Sequence, residues 1–349
     1  MLPRRSLLGG LVTVLTPSAC SRPDPPASSA STSTPAPPAT PAPGSATASA
    51  PNPAPTTSAP AASASASAPA VSVKSPLRVM RQEEVVGVAT VTWLRTPKDQ
   101  DAVLVVPSWG PGPWPLLVAL HGLGEARKGS ERGAYGWVRD YNLVQAMGRL
   151  HAPPLRSDDL QSIYDTKRIT GLNQRLTEHP FEGLAVLCPY TPDLLQERSL
   201  DNAEPFADHL VATWLPGVRA HEPRLLPERE HTGLDGVSLG GRVALLAGLR
   251  HPEAFGALGS LQAALQMNEA RPLARRVAAA RKTAPLPLRL LTSEGDFYRD
   301  EIGALHRELE KSHEAHEHIV VPGPHDYPFN RGPGAVEMLM WHDRKLRGG

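Results

Sequence analysis

Thr232-Gly233-Leu234-Asp235-Gly236-Val237-Ser238-Leu239-Gly240-Gly241-Arg242-Val243-Ala244-Leu245-Leu246-Ala247 is the stretch on which the reading of the fold turns. Residues 232–235 suit a strand and those from Gly241 onward start a helix, so a sharp corner must fall at Gly236-Val237-Ser238-Leu239-Gly240. A Gly-x-Ser-x-Gly corner between strand and helix holds a serine hydroxyl out at its tip. The glycines answer a steric need, because a side chain two residues before or after the serine would strike the crossing strand or helix. Ser238 is therefore the candidate nucleophile, and the plainer reading is a turn serine.

Outward from this corner, residues 116–120, 184–188, 288–292 and 319–321 are short runs, apolar almost throughout. Segments of helical spacing at 203–219, 242–250 and 300–312 lie between or beside them. Such alternation predicts a mostly parallel sheet with helices on both faces. Ahead of it, residues 77–94 and 102–107 read as an opening antiparallel pair. The run 116–120 then counts as the third strand, and an unusually long connection, 125–183, leaves its carboxyl end, where open α/β sheets bind ligands. That connection carries Tyr135, Trp137, Asp140 and Tyr141 and a predicted helix from Asp158 to about Thr177. It is expected to form a lid over the site; a helical elaboration on the flank is the alternative.

A serine hydroxyl attacks poorly at neutral pH unless a base takes its proton, and that base must be held in one tautomer by a third group. The loop Ser293-Glu294-Gly295-Asp296-Phe297 follows one apolar run and Pro322-Gly323-Pro324-His325-Asp326-Tyr327 follows another. His325 is the candidate base. Asp296 is its candidate partner, with Glu294 and Asp300 close enough in sequence to compete. For the oxyanion, the backbone N–H of Leu239 follows the nucleophile, and His121-Gly122-Leu123-Gly124 ends the run 116–120. Leu123 N–H is the expected second donor; one such donor is typically worth about 3 kcal/mol. His121 is expected to order its loop rather than touch substrate.

Together, Gly-Val-Ser-Leu-Gly-Gly at Ser238, the sequel Arg250-His251-Pro252-Glu253-Ala254-Phe255-Gly256-Ala257, and Pro322-Gly323-Pro324-His325-Asp326 resemble an esterase family of the α/β-hydrolases. Esterase D-like, feruloyl-esterase-like and enterochelin-esterase-like proteins belong to it. The resemblance covers most of residues 77–349 and implies the α/β-hydrolase fold and carboxylic-ester hydrolysis without metal or organic cofactor. A small-molecule or polymer-linked ester is the implied substrate. The 125–183 connection departs from the family pattern, and the acid loop matches it only loosely.

The first residues, Met1-Leu2-Pro3-Arg4-Arg5, an apolar stretch over 7–15, and Pro17-Ser18-Ala19-Cys20 follow the design of an export signal. The segment resembles a bacterial lipoprotein signal with Cys20 as the lipidated residue, and Arg4-Arg5 gives it a twin-arginine character. Residues 21–76 are mostly Ala, Pro, Ser and Thr, which suits a disordered linker. Stretched at about 3.1 Å per residue, it would reach roughly 170 Å from an anchor. The expectation is an exported, periplasmic or cell-surface protein whose one contact with a membrane is that anchor, followed by a single domain over 77–349.

Other features carry less. A net charge of +1 offers no field to steer nucleic acid. The only cysteines are Cys20 and Cys188, so no disulfide framework is expected, and Cys188 ends an apolar run as a small core residue. His313, His316 and His318 invite a metal reading, but Glu317 stands where a zincin motif needs histidine. Arg271, Arg275, Arg276, Arg281 and Lys282 read as a solvated helix face. A peptidase or acyltransferase could use the same three side chains, and an inactive surface binding protein is the alternative outside catalysis.

Overall fold

The computed structural model describes residues 76–348. The expected signal at 1–20 with Cys20, and the linker apart from Pro76, lie outside the described residues. Within them, nine strands form one sheet in the order β1-β2-β3-β5-β4-β6-β7-β8-β9. These are β1 (Arg78–Val85), β2 (Ala89–Arg95), β3 (Asp101–Pro107), β4 (Leu116–Leu120), β5 (Ala185–Pro189), β6 (Thr232–Gly236), β7 (Ala257–Leu261), β8 (Leu288–Gly295) and β9 (Glu317–Pro324). β1, β2 and β3 are antiparallel, as is the β3–β5 contact, and every pairing from β5 to β9 is parallel.

The opening pair is thus three strands. Gly87, at φ +71°, closes a turn in which Val88 N–H donates to Val85 O at 2.9 Å, so the alternation at 85–93 is interrupted. The run 116–120 becomes β4, fourth in chain order, and the long insertion follows it. Its apolar residues alternate between two cores: Leu116, Val118 and Leu120 face one layer, Leu117 and Ala119 the other. A strand covered on both faces has no polar side to show, which is why it reads as a continuous apolar run.

β7 carries no such run, since Gly259 and Ser260 interrupt it. A Cβ on Gly259 would lie 1.9 Å from Asp235 Oδ2, so the adjoining strand's buried carboxyl occupies the space a side chain would need. The helix expected over 158–177 is a 3-10 turn, Asp158–Leu160, and a separate helix, Thr166–Glu178. Gln161 and Ser162, at φ +53° and +56°, break the path, and Asp165 caps the new start by accepting from Arg168 N–H at 2.8 Å. Similarly, 203–219 runs as Glu204–His209, a π turn at Leu210–Trp214, and Leu215–His221, where Pro216 has no N–H to give.

Much of the 125–183 connection is a layer of the second core. Trp137, Leu143, Met147, Leu150, Leu160 and Leu172 are buried there. Among the described residues, no helix is long and apolar enough to cross a membrane.

Candidate active site

Chain order reverses beside β4, which pairs with β5 on one side and β6 on the other. At such a switch point the carboxyl ends of neighbouring strands leave a crevice between their loops. Ser238 follows β6 here with φ +57° and ψ −116°, a backbone state that a side chain tolerates only where neighbours enforce it. Its N–H donates to Leu261 O and its carbonyl accepts from Ala264 N–H, both at 2.9 Å. The flanking glycines are sterically required: a Cβ on Gly240 would sit 2.3 Å from Leu120 O, and one on Gly236 2.5 Å from the Gly240 backbone. The helix Leu239–Arg250 starts directly after the serine.

From the end of β8, Asp296 meets His325, which follows β9: His325 Nδ1 lies 2.8 Å from Asp296 Oδ1. The carboxyl is oriented by further donors, Thr292 Oγ1 at 2.6 Å and Tyr298 N–H at 3.0 Å. Glu294 and Asp300 are exposed and make no bond to this imidazole. Asp326 turns away to accept from Phe329 N–H at 2.9 Å. Phe297, 66% exposed, leans on the imidazole with ring centroids 4.2 Å apart. Among the described residues no hydrogen bond joins Ser238 Oγ to His325; in enzymes without substrate such contacts are often long and tighten on binding.

Leu239 and Leu123 each begin a helix, where the N–H has no partner within the helix. No other acceptor takes either N–H among the described residues. A Cβ on Gly122, next to Leu123, would lie 3.8 Å from Ser238 Cβ, so this turn stands against the serine. His121 is fully buried behind it. Thr191 N–H donates to its Nε2 at 2.9 Å, so the proton sits on Nδ1 and is given to Gly122 O at 3.0 Å. Burial pushes its pKa down to about 4.

One cluster at the site was not assigned from sequence. Glu125, buried at the start of the long connection, accepts from Tyr327 at 2.8 Å, from Lys128 at 3.2 Å, and from Tyr141 in a very short bond. Tyr141 in turn accepts from Gly122 N–H at 3.2 Å. Burial foremost, with Glu125 beside it, raises the Tyr141 pKa well above its ordinary value. The cluster ties the turn at Gly122 to the loop two residues beyond His325. A lone glutamate five residues after a strand offers no sequence signal for this.

The remaining candidates fall elsewhere. His316 Nε2 meets His306 Nδ1 at 2.8 Å and His318 stacks on His306. Among the described residues no group of three or more His, Cys, Asp or Glu side chains is arranged to hold a metal. Arg271 and Arg275 are exposed, whereas Arg276 bonds Leu200 O at 3.1 Å and Arg281 bonds Glu314 at 2.8 Å. Cys188 is buried and unbonded to sulfur, and burial raises its thiol pKa.

No family model matches the chain, and no curated protein does. Solved structures do. A ferulic acid esterase aligns with a TM-score of 0.51 and 14% identity, covering 78% of this chain and 99% of its own. An S-formylglutathione hydrolase from Staphylococcus aureus aligns at 0.46 and 14% identity over 76% and 99%. An enterobactin esterase from Shigella flexneri aligns at 0.47 and 16% identity, over 78% of this chain and 62% of its own. With the sheet order and the strand-to-helix corner at Ser238, the first of these likenesses identifies the described domain as having the α/β-hydrolase fold.

Proposed function

We propose that this chain is a serine hydrolase that cleaves carboxylic esters through an acyl-enzyme, with Ser238 as nucleophile, His325 as base and Asp296 as its orienting acid. The observation that carries the reading is the Asp296–His325 pair at the ends of β8 and β9, on the edge where Ser238 leaves β6 in a left-handed corner. His325 Nε2 takes the hydroxyl proton as Ser238 Oγ bonds to the ester carbonyl carbon. The carbonyl electron pair moves to oxygen, where the N–H groups of Leu239 and Leu123 receive it. Collapse expels the alcohol, which takes its proton from the imidazolium, and water repeats the sequence to free the acid. Asp296 holds Nδ1–H throughout. The scheme needs no cofactor.

In this reading the first turns of the 125–183 connection, Glu125 to Tyr141, act as a fixed wall of the site rather than a hinged lid. Burial of Trp137 and Leu143 against the sheet supports that role. The N-terminal segment completes the proposal: export, lipidation at Cys20, and a linker that holds the domain off the membrane. A Cys20→Ser variant released from the membrane fraction would support the anchor, and one still retained there would refute it.

The direct test is labelling with a fluorophosphonate probe, alongside a panel of acyl, sugar and phenolic esters. Labelling that vanishes in Ser238→Ala, with ester turnover, supports the proposal. Preferential cleavage of peptide amides would make the protein a peptidase, and transfer to an alcohol acceptor would make it an acyltransferase. Absence of labelling in the native protein would point to a surface binding protein.

A further inference from the structure

We infer that Gln262 is the positioning residue that sets how the His325 imidazole approaches the Ser238 hydroxyl, an inference that rests on the hydrolase reading above. Gln262 immediately follows β7, is fully buried, and holds φ +47°, a left-handed state costly for a glutamine. All three arms of the site converge on it. Leu261 and Ala264, close to it in the chain, make two of the three backbone bonds that pin Ser238, each at 2.9 Å. Its own N–H donates to Leu291 O of β8 at 2.7 Å.

Its side-chain amide then reaches the other two loops. Nε2 donates to Ser293 Oγ at 2.7 Å and to Pro324 O at 2.9 Å. Ser293 O accepts Asp296 N–H at 3.1 Å, so Ser293 opens the turn that carries the acid. The Pro324 carbonyl belongs to the rigid peptide plane that ends at the His325 Cα, and fixing its oxygen fixes the placement of the N–Cα bond from which the His325 side chain departs. Gln262 Oε1 is buried with no partner among the described residues, so what the amide contributes here is the donation from its N–H groups. A strained, buried side chain that joins nucleophile, acid and base loops is a joint whose loss misaligns the row without touching substrate.

The test compares native protein with Gln262→Met and Gln262→Asn for Ser238 phosphonylation rate, kcat and KM on p-nitrophenyl acetate, and thermal unfolding. Methionine matches the length of glutamine, removes the unpaired Oε1, and cannot donate to Pro324 O. Asparagine accepts the left-handed backbone more readily but falls one methylene short of that carbonyl. Both variants should fold, lower phosphonylation and kcat by about 10- to 100-fold, and leave KM within about threefold. A folded Gln262→Met or Gln262→Asn protein that is labelled at the native rate overturns the inference alone. A native protein that no probe labels at Ser238 overturns it together with the hydrolase reading.

Discussion

Apart from the surface pair Asp208–His251, two aspartate–histidine pairs among the described residues sit at almost the same separation, Asp296–His325 at 2.8 Å and Asp235–His342 at 3.0 Å, and of these only the first reaches solvent. The His325 side chain is 10% exposed and bonds its aspartate through Nδ1, which leaves Nε2 to face outward. His342 bonds through Nε2 and is 0% exposed. Its Nδ1 has no partner among the described residues and lies where a Cβ on Gly233 would come within 2.5 Å. Burial foremost lowers the His342 pKa, and Asp235 opposes the shift only in part. An acid beside an imidazole is therefore not enough for chemistry; the outer nitrogen must reach a reacting group. The first pair lies in the loops that follow β8 and β9, whereas the second joins β6, which carries Asp235, to the last helix, Ala335–Lys345, which carries His342, and so ties helix to sheet.

Substitutions should separate the two pairs sharply. Ser238→Ala should abolish probe labelling and cut ester turnover at least about a thousandfold, and Asp296→Asn should lower kcat by about ten-thousandfold with little change in melting. Equal losses from Asp235→Asn in fully folded protein would erase the distinction. Asp235→Ala, which strands both His342 and the nearby Arg289 guanidinium, should instead destabilise by about 3–5 kcal/mol, read by urea unfolding, while kcat of the folded fraction stays within about threefold. A smaller effect is expected at the wall: Tyr141→Phe removes the acceptor of Gly122 N–H and should slow acylation about tenfold by loosening the Leu123 donor, with KM hardly altered. A larger change in KM than in kcat would instead make Tyr141 a substrate contact.

The mildest prediction concerns acid. His121 and His318 both have pKa values pushed down to about 4, mainly by burial, and His306 and His316 add to the effect at His318. Their folded values lie below the ordinary 6.5, so between about 6.5 and 4 the unfolded chain binds more protons and stability falls as pH drops. His121→Asn and His318→Gln should each flatten that slope in urea midpoints measured across the window. A flat native profile would contradict the neutral state of these rings.

The corner at Ser238 was legible because only a narrow set of residues fits a tight strand-to-helix turn, and local sterics write that set into adjacent positions. His325 was legible because a Gly-rich loop after an apolar run marks a strand end. Asp296 was named among competitors; what singles it out is the geometry of Thr292 and Tyr298 around its carboxyl. Gln262, Glu125 and His342 carried no local signal, for each acts through partners far along the chain: Pro324 for Gln262, Tyr327 for Glu125, Asp235 for His342. β7 was hidden for the same reason, its Gly259 answering to the Asp235 carboxyl on the neighbouring strand.

From the sequence alone came the mostly parallel sheet, the corner, and the order in which serine, acid and histidine follow one another, because periodicity and turn sterics are short-range properties of the chain. Which acid meets the imidazole, which aspartate–histidine pair faces solvent, and which side chains brace the loops were decided only by tertiary structure. Those outcomes depend on which strand ends the sheet order sets side by side, and distance in space is not written in distance along the chain.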